Sequence, residues 1–63
     1  MIYTATSPTG EQMTVEITDQ GTRICRHESP EICYVPDDPK GEGIKIALET
    51  LWHRGWKIDV ERS

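Results

Sequence analysis

The sequence predicts a small α+β fold: a small antiparallel sheet, built as a β-meander of three to four strands plus a C-terminal strand, with one amphipathic helix packed on one face, in the order β-β-β-β-α-β. Three observations carry this. Gln12 to Thr18 alternate strictly, with Met13, Val15 and Ile17 on one face and polar residues on the other. Ile44, Ala47, Leu48, Leu51 and Trp52 recur at helical spacing and form one apolar stripe. Turn-forming clusters break the first half at intervals suited to hairpins. At 63 residues the chain has room for one core, so 1–63 is read as a single domain.

Met1 to Thr6, rich in Ile, Tyr and Thr, reads as the first strand. Ser7-Pro8-Thr9-Gly10 suits a type I turn, because Pro sets φ at its second position and Gly closes it. The alternating run Gln12 to Thr18 follows, and Asp19-Gln20-Gly21-Thr22 supplies glycine where a tight hairpin needs a positive φ. Thr22 to His27 and Ile32 to Val35 are shorter strands around a turn at Glu28-Ser29-Pro30-Glu31. The segment Val35 to Gly41 is irregular, since its two prolines remove donors and restrict their neighbours. Asp38 and Pro39 suit a helix cap and first position, whereas Gly41 and Gly43 move the regular helix toward Glu42. Its end is marked by His53, Arg54 and Gly55. Beyond Gly55 the period returns to two, with Trp56, Ile58 and Val60 alternating with Lys57, Asp59 and Glu61.

The formal charge of −4 is local. Glu28, Glu31, Asp37, Asp38 and Glu42 face only Lys40 in their segment, while the flanking parts nearly balance. A chain this acidic lacks the basic footprint that displaces counterions from phosphates, which argues against nucleic acid. No apolar run approaches the roughly 20 residues that cross a bilayer, and the first residues resemble no secretory leader. Cytoplasmic residence is the resulting expectation, and with it two free thiols at Cys25 and Cys33.

No phosphate loop, nucleophile elbow or zincin helix occurs in the sequence. A sheet with one helix also leaves little room for a cleft of several hundred Å³. The expectation is a non-enzymatic protein-binding or regulatory module without cofactor, of which an inhibitor of a partner protein is one form. Its contact residues are expected in the acidic segment at Asp37, Asp38 and Glu42, and among the exposed aromatics, with Tyr3, Tyr34 and Trp52 as candidates. The uncharged strand Ile2 to Thr6 is a candidate edge for pairing with a second copy or another chain.

Two alternatives accompany this reading. In a zinc-stabilised domain, Cys25, His27, Cys33 and His53 would be the ligands, although their spacing lacks the paired elements of common zinc sites. Residues 25 and 33 would face each other across a hairpin centred on Ser29, near disulfide range as well. In a single-stranded nucleic-acid binder, a tyrosine on the sheet face away from the helix, such as Tyr34, would stack bases beside Arg23 and Arg26.

Overall fold

Residues 1–61 are described in a computed structural model, and their alternating and helical periods translate directly into elements. In chain order these are β1 (Ile2–Thr6), β2 (Gln12–Thr18), β3 (Gly21–Arg26), β4 (Ile32–Tyr34), α1 (Glu42–His53) and β5 (Lys57–Glu61). The strands form one open antiparallel sheet in the order β4-β3-β2-β1-β5. The predicted α+β fold and its element order are therefore observed. Three successive hairpins lay down four neighbouring strands, and α1 carries the chain back so that β5 pairs with β1.

Register decides which side chains share a face. Val60, Tyr3, Val15, Ile24 and Tyr34 are successive partners in one row across all five strands. Ile58, Ala5, Met13, Arg26 and Ile32 form the next row on that side. The helix packs over the middle of this face. Ala5, Val15, Ile24 and Leu48 are buried there, with Tyr3, Met13, Ile17, Ile44, Leu51, Trp56 and Ile58 packed around them. Opposite lies an open face bearing Thr4, Thr14, Glu16, Arg23, Cys25, Cys33, Lys57 and Asp59.

Both helix ends are held by local chemistry. Gly41 takes φ +69° as the N-cap and is buried against Ile17, where any Cβ would collide with that side chain. A glycine cap offers no side-chain acceptor, so Asp38 supplies one: its Oδ2 accepts the Ile44 N–H at 2.9 Å. The Asp38 carbonyl accepts from Thr22 Oγ1 at 2.6 Å and from the Gly41 N–H at 3.0 Å, which ties the loop to β3. At the other end the Gly55 N–H donates to Trp52 O and the Trp56 N–H to Leu51 O, a Schellman motif around Gly55 at φ +93°. The Ser7 turn is likewise satisfied, with Ser7 Oγ accepting from the Thr9 and Glu11 N–H groups. Among the described residues no helix is long and apolar enough to cross a membrane.

Candidate functional site

A twelve-residue helix is too narrow to cover five strands, and the uncovered margins carry the surface chemistry. On the β5 side, a cleft of about 330 Å³ opens between α1 and the sheet, lined by Tyr3, Lys45, Leu48, Glu49, Trp52 and Ile58. Its floor is apolar, and Lys45 and Glu49 set opposite charges on its helical side. Trp52 is 61% exposed, although it lies on the apolar stripe of α1. Its ring is tilted against His53 at a centroid distance of 5.1 Å. Val60 is also exposed on the sheet margin nearby.

On the open face, the β3–β4 hairpin gathers a second group. Cys25 and Cys33 are direct register partners with Cα atoms 4.0 Å apart, and they form a disulfide. The expectation of two free thiols is corrected on this point. Directly opposed positions on adjacent strands bring the two Cβ atoms near disulfide range, and the close approach of the strands here completes the bond. Glu31 Oε1 lies 3.4 Å from Cys33 Sγ, and Glu31 Oε2 lies 3.8 Å from His27 Nδ1. His27 Nε2 is 2.8 Å from Thr14 Oγ1 on β2.

No family model, curated protein or solved structure matches this chain. Its function is read from these two sites alone.

The predicted contact residues fall in three separate places. Tyr3 and Trp52, remote in sequence, meet in the cleft. Tyr34 stands at the far edge of the sheet, exposed beside Ile32 and Val35. Asp37, Asp38 and Glu42 belong to the loop entering α1, and there Asp38 is committed to capping the helix. Asp37 and Glu42 remain exposed.

Three further expectations are corrected by topology. β1 is not an edge: β2 and β5 flank it, so its backbone is already paired on both sides. The open edges are β4, three residues long, and β5, where Lys57, Asp59 and Glu61 place charge along the strand. The four-ligand set Cys25, His27, Cys33 and His53 is divided by the sheet. His53 ends a helix on the covered side, whereas the cysteines occupy the open face. The stacking platform is divided in the same way, because Tyr34 and Arg26 point to the helix side and Arg23 to the open side. Glu31, which sequence reasoning left among solvated acids, is the residue that joins the cysteine pair. Its two-residue offset from Cys33 is the signal that places both on one face.

Proposed function

We propose that this chain is a non-enzymatic protein-binding module that docks a partner segment in the cleft between α1 and β5. The observation that carries the reading is Trp52, a large apolar ring left exposed at the mouth of an apolar cleft whose helical side carries Lys45 and Glu49. Tryptophan in such a setting is the residue type most enriched among binding hot spots. A cleft of this size accommodates one or two bulky apolar side chains of a partner, and Lys45 and Glu49 supply polar contacts beside them.

The acidic loop has a lesser part in this reading. Asp37 and Glu42 add to the negative field of a chain of formal charge −4 and speed the approach of a basic partner. Asp38 is removed from the contact set, because its carboxylate holds the helix. Cytoplasmic residence belongs to the reduced form of the protein, and the Cys25–Cys33 bond belongs to an oxidising setting. Turnover chemistry is no part of the reading, since the cleft lining joins an apolar floor to one lysine and one glutamate without a nucleophile–base pair.

The test is affinity capture with immobilised wild-type protein beside Trp52→Ala and Asp37→Lys variants, followed by kinetic measurement on the retained partner. Trp52→Ala should weaken binding by about 30-fold or more, the scale of a hot spot. Asp37→Lys should slow association and leave dissociation unchanged. A partner bound equally well by the Trp52→Ala variant would show that the contact surface lies elsewhere.

A further inference from the structure

We propose that the β3–β4 hairpin is a redox-gated site for a thiophilic divalent cation of the zinc type, held by Cys25, His27, Glu31 and Cys33 and open only when the disulfide is reduced. In the hairpin sequence Cys25-Arg26-His27-Glu28-Ser29-Pro30-Glu31-Ile32-Cys33, the two cysteines stand four residues either side of Ser29, and His27 and Glu31 stand two residues either side of it. Cys25 pairs with Cys33 and Arg26 with Ile32. Beyond the last pair, His27 and Glu31 flank the turn, and their side chains approach at 3.8 Å. Cys25 and Cys33 lie on the open face, and the turn brings Glu31 to Cys33 and His27 to Thr14 on that same face.

Three of the four ligands, Cys25, Glu31 and Cys33, already lie close enough together to share an ion, and His27 stands beside them with its Nδ1 next to the other Glu31 oxygen. Metal–ligand bonds of about 2.0–2.3 Å require ligand atoms about 3.3–3.8 Å apart. Cys33 Sγ to Glu31 Oε1 is 3.4 Å, and Glu31 Oε2 to His27 Nδ1 is 3.8 Å. The ligand atoms of Cys25, Glu31 and Cys33 all lie within 4.8 Å of one another. Thr14 completes the arrangement from β2: its Oγ1 sits 2.8 Å from His27 Nε2, which leaves Nδ1 turned toward Glu31. Metal-bound histidines are commonly oriented by such a partner on the second ring nitrogen. Two thiolates, an imidazole and one carboxylate favour zinc over magnesium or calcium, whose preferred ligands are oxygens. Glu31 and Cys33 are exposed and Cys25 is half-buried, so both reductant and ion reach the site.

The gate follows from valence. In the oxidised hairpin the sulfurs bond to each other and neither is a thiolate. A thiol or phosphine reductant delivers two electrons, the S–S bond breaks, and two protons end on the sulfurs while the reductant is oxidised. A divalent ion then displaces those two protons and takes both thiolates, with Glu31 and His27 as the remaining ligands. The site is on the opposite face of the sheet from the Trp52 cleft and stands independently of it.

Optical titration with cobalt(II), a spectroscopic substitute for zinc, tests the proposal on the full chain. Protein reduced with a phosphine under inert gas should bind one equivalent and develop thiolate-to-cobalt charge-transfer and tetrahedral d–d bands, bleached by one equivalent of zinc. The oxidised protein should show none. His27→Ala and Glu31→Gln should change the d–d envelope and weaken binding, Thr14→Val should weaken it by about tenfold or more, and His53→Ala should leave it unchanged. Amide spectra of the oxidised variants establish that each retains the hairpin. Absence of thiolate bands in the reduced protein overturns the proposal. So does a spectrum that ignores both His27→Ala and Glu31→Gln, which would mean two thiolates binding the ion alone.

Discussion

Asp38 caps a helix that begins four residues after it: its Oδ2 accepts the N–H of Ile44 at 2.9 Å across the turn that Gly41 makes. Because Thr22 Oγ1 also donates to the Asp38 carbonyl, one residue joins the sheet, the loop and the helix. Removing the carboxylate in Asp38→Ala should cost about 1 kcal/mol, the usual worth of an N-cap acceptor, whereas Asp37→Ala should stay within about 0.5 kcal/mol of wild type. Urea midpoints of the two variants compare them directly. Equal midpoints would show that the cap contributes nothing.

Thr22 supplies the other half of that connection. It is 2% exposed, and its hydroxyl donates at 2.6 Å. Thr22→Val keeps the shape and deletes the donor, so a loss of about 1–2 kcal/mol is expected by chemical denaturation. The Asp38 carbonyl retains the Gly41 N–H, which keeps the loss below that of a fully orphaned group.

Gly41 and Gly10 both have positive φ, but their surroundings differ. A Cβ at Gly41 would strike Ile17, while one at Gly10 would meet nothing within 4 Å. Gly10→Ala should therefore cost about 1 kcal/mol from backbone conformation alone. Gly41→Ala should cost clearly more, because the Ile17 side chain or the first helical turn must also shift to make room. Thermal unfolding of the pair separates the two contributions.

The two tryptophans should report different environments. Trp52 is 61% exposed, and Trp56 is half-buried against the core. Trp52→Phe should leave a blue-shifted emission that iodide quenches poorly, and Trp56→Phe the reverse. Trp52→Ala should change stability by less than about 1 kcal/mol, while truncating Leu48, 4% exposed, should cost about 2–5 kcal/mol.

Reduction should destabilise the metal-free protein. Cys25 and Cys33 close a loop at a sequence separation of 8, which restrains the unfolded chain by about 2.5 kcal/mol in the entropic account. Urea midpoints with and without phosphine measure this loss. Added zinc should recover part of it in the reduced protein and leave the oxidised protein unaffected.

The elements were legible because each is written in local chemistry. Gln12–Thr18 follows in full from strict alternation, and the end of α1 from Gly55, whose Schellman hydrogen bonds account for it. The start of α1 was harder. Asp38 and Pro39 carry a cap signature, but the buried approach of Gly41 to Ile17 places the first turn at Glu42. The candidate sites were legible only in part. Tyr3 and Trp52 were each singled out as aromatics, yet only β5, returning beside β1, brings Tyr3 into a cleft with Trp52.

The periods, the turns, the charge and the close spacing of Cys25, His27 and Cys33 are set by residue order, because these depend on neighbours a few residues apart. The tertiary arrangement sets that β1 is an interior strand, that His53 lies across the sheet from the cysteines, and that a helix of twelve residues leaves Trp52 uncovered. Those outcomes depend on which strand the chain rejoins after the helix. That choice is made by packing between residues distant in sequence, such as Leu48 against Ala5 and Val15, which no local pattern records.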